Sequence, residues 1–351
     1  PLSCVSHPIP PATVILEELS KRKDLGVKTL QCEDEIAGIC SSIGAAGSGN
    51  FAVTTTSGPG LSLKSEAIGL AVMTELPLVI VDVQRAGPST GLPTKPEQAD
   101  LYQAMWGRNG ECPLIVMAAG TPSDCFTYAF YAGKLAMEHM TPVLLLTDGF
   151  IANGSEPWKI PSMSDFPRIN APVVHRAPED GSPFMPYARD EKRLARQWAF
   201  PGTKGLEHRV GGLEKMHVKG SVCHEPNNHQ KMVDLRAEKV RRVQEFIPKQ
   251  TVTGPKSGDV LVVGWGGTKG HLVNAVEDLQ KEGKSISLCH FNYINPLPRG
   301  VEDIFRRFKK IVVCELNMGQ FANYLRMNFQ QFEYQQYNKV QGLPFTVTEL
   351  K

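Results

Sequence analysis

Three short stretches of this chain concentrate residues that move protons and bind anions. They are Glu33-Asp-Glu-Ile-Ala37, Thr54-Thr-Thr-Ser-Gly-Pro-Gly60 and Gln84-Arg-Ala-Gly-Pro-Ser-Thr-Gly-Leu-Pro93. Glu35 opens a predicted helix whose following residues are small: Ala37, Gly38, Ser41, Ser42 and Gly44. Small residues let another backbone or a flat ligand come close. A carboxyl group against such a dry surface becomes a proton carrier near neutrality. The competing reading is an exposed helix-start acid favoured by the helix dipole. The residues alone leave both open.

Other candidate motifs carry less. The turn Gly264-Trp-Gly-Gly-Thr-Lys-Gly270 follows a predicted strand and opens a helix, but Lys269 stands where a dinucleotide fingerprint needs its third glycine. No acid ends the next strand, which reads Cys289-His-Phe-Asn292, so a tight turn or weak anion site fits better than a nicotinamide site. Asp148-Gly149 is not followed by the Asn of a diphosphate–magnesium motif. The eight cysteines are scattered without any Cys-x-x-Cys. Zinc and iron–sulfur sites draw on short spacings, so the expectation is no metal site in this chain. The cysteines read instead as small buried hydrophobes of a reducing cytoplasm.

These residues need elements to hold them. Between Ile15 and Thr147 short β-like runs alternate with helix-like stretches, the pattern of an α/β layer fold with a doubly wound sheet. Phe51–Thr56 is a strand stopping at a turn cluster; Ser62–Thr74 reads as a helix with Leu63, Ala67, Leu70 and Ala71 inside. Leu78–Val83, Leu114–Ala119 and Val143–Thr147 are apolar runs suited to a parallel sheet buried on both faces, with a helix Ser123–His139 between the last two. From Ile151 to about Gly254 the chain is rich in Pro, Gly and charge, closed by a helix near His229–Phe246 with Met232, Leu235, Val240 and Val243 as its apolar stripe. A stretch this long without repeated strands is expected to wrap a neighbouring domain or subunit. A second, smaller α/β unit follows: strand Val260–Val263, helix Gly270–Glu282, strand Ser285–His290, helix Val301–Phe308, strand Ile311–Glu315 and a last helix from near Gly319.

At 351 residues, two units and a connecting segment are the natural division. A net charge of +2 gives no reason to expect nucleic acid or an acidic membrane as partner. The longest apolar runs fall well short of the roughly 20 residues that span a bilayer. No basic-plus-apolar leader opens the chain. It begins Pro1-Leu-Ser without Met, as a sequence missing its true N-terminus would.

Taken in order, Gln31-Cys-Glu-Asp-Glu-Ile-Ala-Gly38, Thr56-Ser-Gly-Pro-Gly-Leu-Ser-Leu63, Met73–Arg85, Gly87-Pro-Ser-Thr-Gly-Leu-Pro-Thr94, Leu146–Trp158 and Asn228–Met232 resemble the alpha subunits of 2-oxoacid:acceptor oxidoreductases of the 2-oxoglutarate:ferredoxin type. The likeness covers nearly the whole chain. It implies a thiamine-diphosphate pyrimidine-binding doubly wound domain over 1–165, an extended connecting segment over 166–254, and a smaller transketolase C-terminal-like α/β domain over 255–351.

It also implies roles. The family's cofactor-activating glutamate falls on Glu35: a carboxyl at the aminopyrimidine N1′ favours the imino tautomer, whose nitrogen takes the proton from thiazolium C2. Ser57, Gly58 and Gly60 would line the pyrimidine side. The family's 2-oxoacid-binding arginine falls on Arg85, whose fork suits a planar carboxylate, with Ser89, Thr90 and Lys95 on the substrate side. Thiamine diphosphate with Mg2+ is implied as cofactor, its diphosphate and Mg2+ held by a beta subunit, with a [4Fe-4S] cluster in that subunit or another partner. The implied assembly is αβ or (αβ)2, working with ferredoxin, coenzyme A and a 2-oxoacid. One departure stands out. The family opens with Tyr-Pro-Ile-Thr-Pro, its Thr reaching the substrate, whereas here His7-Pro-Ile-Pro-Pro11 matches. Pro10 has no hydroxyl, so that contact is lost or moved to His7 or Thr13, and the helix and strand usual ahead of the motif are expected to be missing. Alternatives are a pyruvate or branched-chain 2-oxoacid enzyme, a transketolase-type enzyme, or a non-catalytic scaffold with a decayed site.

Overall fold

The computed structural model describes residues 2–351. Thirteen strands lie among them: β1 (Leu2–Ser6), β2 (Lys28–Gln31), β3 (Phe51–Thr56), β4 (Leu78–Gln84), β5 (Ile115–Ala118), β6 (Pro142–Asp148), β7 (Val173–Val174), β8 (Trp198–Ala199), β9 (Gly258–Trp265), β10 (Ile286–Phe291), β11 (Tyr293–Asn295), β12 (Phe308–Glu315) and β13 (Tyr334–Asn338). Seven form one sheet in the order β11-β5-β6-β4-β3-β1-β2, and four form another in the order β10-β9-β12-β13. Every pairing in the larger sheet is parallel except β11 on β5. The smaller sheet is parallel throughout.

The apolar run of β4 is explained by its place at the centre. Leu78 and Ile80 join one apolar cluster, while Val79, Val81 and Val83 join the cluster on the other face, as expected of a strand covered on both sides. The first cluster does not stop at the sheet. It continues through Leu261, Val263, Phe291 and Phe321 of the second unit. β11, although it follows β10 directly, leaves the smaller sheet and closes the edge of the larger one, Tyr293 opposite Met117.

Several expectations need correcting. The helix expected over Ser62–Thr74 is two helices, Gly58–Leu63 and Ser65–Thr74, with Lys64 at the junction. Their buried face carries Ala67, Ile68, Ala71 and Val72, and Leu63 is 52% exposed. The cause is Lys64, which turns inward to polar partners and so rotates the apolar face away from Leu63. A strand does precede His7-Pro8: β1 pairs with β2 and β3. The last helix, Gln320–Asn328, is followed by β13 and a short helix Val347–Leu350. β13 reads Tyr-Gln-Gln-Tyr-Asn, an edge strand with little apolar pattern to betray it.

The connecting segment is tied down by charge as much as by apolar contact. Trp198 Nε1 donates to Ala46 O at 3.2 Å, and Arg196 Nε donates to Thr74 O and Glu75 O at 3.2 and 3.1 Å. On the helix Pro226–Arg242, Met232, Val240 and the adjoining Val243 are buried as expected, but Leu235 is only half-buried. Arg236 and Lys239 are buried on that helix instead. Lys239, together with Arg189, grips the Glu75 carboxylate, all three side chains being nearly inaccessible. Burial alone would raise the Glu75 carboxyl; Lys239 and Arg189 outweigh it and hold it at about 2.

Removing one partner from such a group strands buried charge. Glu75→Gln is therefore expected to cost about 3–5 kcal/mol in chemical denaturation and to speed proteolytic nicking of the connecting segment. Because the folded carboxyl titrates below its usual 4.5, this stabilisation is complete above that pH and fades as pH falls toward about 2. A variant with unchanged stability at neutral pH would contradict the assignment.

Candidate active site

The C-terminal ends of β1, β3, β4 and β6 meet at one rim of the larger sheet, where α/β proteins place ligands. Glu35 reaches this rim from the first turn of the helix Glu35–Gly47, whose N-cap Asp34 accepts from Ala37 N at 2.7 Å. Glu35 is 6% exposed, so the exposed helix-start reading does not describe it. Among the described residues no hydrogen bond engages its carboxyl. Its nearest structural constraint is a glycine: a Cβ on Gly60 would lie 2.7 Å from Glu35 Oε1 and 2.1 Å from Thr56 Oγ1. Only glycine lets Thr56 and Glu35 pack this close. Ser57, on the same turn, is fully buried with its Oγ unpartnered.

Lys64 lies behind this group. Its ammonium donates to Glu35 O at 3.0 Å and to Thr54 Oγ1 at 3.2 Å. Burial lowers it to about 8, against the neighbouring Glu35 charge that favours the protonated form. It thus supports the backbone of Glu35 and leaves the carboxyl oxygens open. A charged residue in the small-residue Gly58–Thr74 stretch, out of step with the apolar pattern, was the available signal.

Arg85, Gly58 and Ser89 share the wall of a cavity of about 590 Å3 with Glu97, Asp100 and Gln103. Arg85 is 9% exposed; its Nη1 donates to Pro10 O at 2.9 Å, and its Nε is buried without a partner. The proline that replaces the expected threonine thus contributes its carbonyl, which orients the guanidinium. His7 faces Cys32 O at 3.1 Å instead. Thr90 and Lys95 are exposed and outside the cavity wall. The backbone of Lys95 closes the loop instead: its O accepts from Ala86 N at 2.7 Å and its N donates to Leu92 O at 3.0 Å. Glu35, Ser57 and Gly60 gather on one side of the turn Ser57–Gly60, and Gly58 joins that turn to the Arg85 cavity.

Sequence reasoning missed the acids of this rim. Asp82, in the apolar run of β4, is fully buried, and the half-buried Asp100 is its electrostatic neighbour. Burial raises both carboxyls, and the Asp100 charge raises Asp82 further, against the pull of Arg85. Asp148, at the end of β6, is pushed up by burial to about 6 while accepting from Phe150 N and Ile151 N at 2.8 and 3.0 Å. A lone acid inside an otherwise apolar strand was the signal for Asp82. The glycine turn after β9 packs against this end: a Cβ on Gly267 would lie 1.9 Å from Asp148 Oδ2. Lys269 pairs with Asp124 at 2.9 Å. That turn is filled by the protein's own side chains. Among the described residues no group of three His, Cys, Asp or Glu is arranged to hold a metal, and no helix is long and apolar enough to cross a membrane.

Comparison with known proteins accords with this geometry. A family model described as pyruvate flavodoxin/ferredoxin oxidoreductase, thiamine diphosphate-binding, matches residues 3–225. The 2-oxoglutarate oxidoreductase subunit KorA of Mycobacterium tuberculosis is 49% identical over 351 residues, all of this chain and 53% of that protein. The 2-oxoglutarate synthase subunit KorA of Methanothermobacter thermautotrophicus is 33% identical, over 90% of this chain and 82% of that one. Among solved structures, 2-oxoglutarate:ferredoxin oxidoreductase from Magnetococcus marinus, with 2-oxoglutarate, coenzyme A and succinyl-CoA bound, superposes with a TM-score of 0.92 at 33% identity, covering 99% of this chain and 60% of that one. The chain thus spans only about half the length of the mycobacterial relative. With a parallel α/β sheet, a family match over most of its length and relatives that match 90% or more of it, the chain belongs to the pyruvate flavodoxin/ferredoxin oxidoreductase family of thiamine diphosphate-binding proteins.

Proposed function

We propose that the chain is the alpha subunit of a 2-oxoglutarate:ferredoxin oxidoreductase, which converts 2-oxoglutarate and coenzyme A to succinyl-CoA and carbon dioxide while reducing ferredoxin, or runs the reverse. The observation that carries this reading is the Glu35 carboxyl: buried, free of hydrogen bonds among the described residues, and packed so closely on Gly60 that no side chain could stand there. The names of relatives 49% and 33% identical favour 2-oxoglutarate as the acid. On the same reading residues 1–165 are the pyrimidine-binding domain, 166–254 the connecting segment and 255–351 the transketolase C-terminal-like domain.

The residues present fit thiamine diphosphate. Glu35 would hold the ring nitrogen of its aminopyrimidine, and the buried, unpartnered Ser57 Oγ together with Gly58 and Gly60 would line that ring. When bound, the cofactor supplies the carbanion chemistry that a protein side chain lacks. The chain's own contribution is to hold and move one proton at the Glu35 carboxyl, to keep water from it, and to orient the substrate carboxylate on Arg85. Ser89 lines the substrate side of the cavity, while Thr90 and Lys95, expected there, stand outside its wall. A beta subunit would bring the diphosphate and Mg2+ site and the [4Fe-4S] cluster, placing catalysis at an αβ interface. The assembly would be αβ or (αβ)2 in the cytoplasm, with ferredoxin as acceptor.

Three tests follow from these roles. The isolated chain is expected to reduce no viologen dye with 2-oxoglutarate and coenzyme A, and to gain activity when beta is added; turnover by alpha alone would sink the interface reading. In the assembled complex, Glu35→Gln is nearly isosteric yet removes the proton relay. It should lower kcat by about 10²–10⁴-fold with assembly unchanged by size-exclusion chromatography, and wild-type rates would take Glu35 out of the mechanism. Gly60→Ala would push a methyl group into the Glu35 carboxyl. It would also meet the buried Thr56, so we expect roughly a hundredfold loss of kcat together with a lower melting temperature, and full activity would show that the close packing of Glu35 on Gly60 is not needed.

A further inference from the structure

The cavity beside Arg85 poses an electrostatic problem for any ligand with a carboxylate. Its wall holds one cation, Arg85, and two acids, Glu97 and Asp100. Behind Asp100 stands Asp82, fully buried, with neither oxygen hydrogen-bonded to a donor. Asp100 Oδ1 accepts from Gln84 Nε2, while its Oδ2 is buried without a donor and faces Gly58, where a Cβ would lie 3.4 Å away. Two neighbouring carboxyls, one fully buried and one half-buried, with a single amide donor on Asp100, repel each other strongly when both are ionised. The protein's means of satisfying them is a proton held between the two, one carboxyl donating to the other.

We propose that Asp82 and Asp100 are positioning residues that share a single proton behind the cavity wall, and so leave the Arg85 guanidinium turned to the carboxylate of a 2-oxoacid rather than closing on the pair. The proposal rests on the reading of Arg85 as the substrate-binding arginine. Its geometry is specific. Asp82 and Arg85 lie three residues apart at the end of β4, and Arg85 lowers Asp82 electrostatically. Arg85 nevertheless makes no ion pair among the described residues; its Nη1 goes to Pro10 O. A fully ionised pair would offer two negative charges to that guanidinium. A singly protonated pair offers one, and shares it internally.

The groups facing the pair are Arg85 from β4, Asp148 from the end of β6, and Glu97 from the loop that leads to Asp100. Burial raises Glu97 as well, with backbone hydrogen bonds from Gly87 and Gly342 opposing it, so neither cavity acid is a simple exposed carboxylate. The sign follows. Loss of the shared proton adds negative charge beside the site, so affinity for a carboxylate ligand falls as pH rises.

The test uses the cofactor-loaded assembled complex, with 2-oxoglutarate as the probe. KM in the wild type is expected to rise about tenfold through the alkaline limb, with a smaller change in kcat. Asp100→Asn supplies the hydrogen bond with no proton to lose and should flatten that limb; Asp82→Asn should do the same. Infrared difference spectra between wild type and the Asp82→Asn/Asp100→Asn double variant should show the C=O stretch of a protonated carboxyl at neutral pH. No such band, or an Asp100→Asn profile identical to wild type while Arg85→Met still raises KM, would overturn the proposal alone. If Arg85→Met leaves KM unchanged, the substrate reading of Arg85 fails and the proposal falls with it.

Discussion

The buried, unpartnered Glu35 carboxyl, packed on Gly60, is the constraint to which the rest of this rim answers. A carboxyl group kept out of water, with no protein donor on its oxygens, is costly unless something else meets it. The chain accepts that cost at Glu35 and offsets it from behind. Asp34 caps the helix that carries Glu35, and Lys64 gives that helix's first carbonyl an ammonium hydrogen bond at 3.0 Å. Lys64 is itself fully buried and is drawn down to about 8 by that burial. It stays near neutrality mainly a cation because Glu35 is close. The break between the helices Gly58–Leu63 and Ser65–Thr74 lies at this lysine. The local irregularity is thus the consequence of holding Glu35 where it is.

The second sheet stiffens the other side of the rim. Gln98 is fully buried and makes four hydrogen bonds across the junction: its N to Leu316 O, its Nε2 to Trp265 O, and its Oε1 and O from Leu316 N and Asn317 Nδ2, all between 2.9 and 3.0 Å. Those partners lie at the ends of β9 and β12. The loop carrying Glu97 and Asp100 is therefore fixed to two strands of the smaller sheet, while the shared apolar cluster runs beneath it. With β11 completing the larger sheet, the two units are joined by both backbone ladder and core. This explains how acids on a loop can be held to the tolerance a binding site needs.

What was legible in the sequence follows from how local its cause is. The central strands announced themselves because each is buried on both faces and so must be apolar along its length; the helices Pro122–His139 and Lys269–Lys281 fell within a residue of expectation. The edge strands β11 and β13, and β1 next to an edge, did not. They owe their existence to partners far along the chain, and β13 carries almost no apolar residues. In the site, Glu35 and Arg85 were found through their motifs, although whether Glu35 is buried could not be read from its neighbours. Lys64, Asp82 and Asp100 escaped for a common reason. Each is a charged residue in a buried place, and composition assigns charge to the surface. Arg236 and Lys239 misled the reading of the helix Pro226–Arg242 in the same way.

Pro10 shows how a departure from a motif can be absorbed. A threonine hydroxyl at that position could donate to a ligand; a proline offers only its carbonyl. Here that carbonyl, which any residue at position 10 would carry, takes Nη1 of Arg85 and orients the cation. A replacement polar contact is available across the cavity. Ser89 lines it from a loop pinched shut by the Ala86–Leu92 bridge, and holds φ at +54°, a conformation that costs a non-glycine residue about 1 kcal/mol or more. Strain kept in a cavity wall is the mark of a side chain whose direction matters.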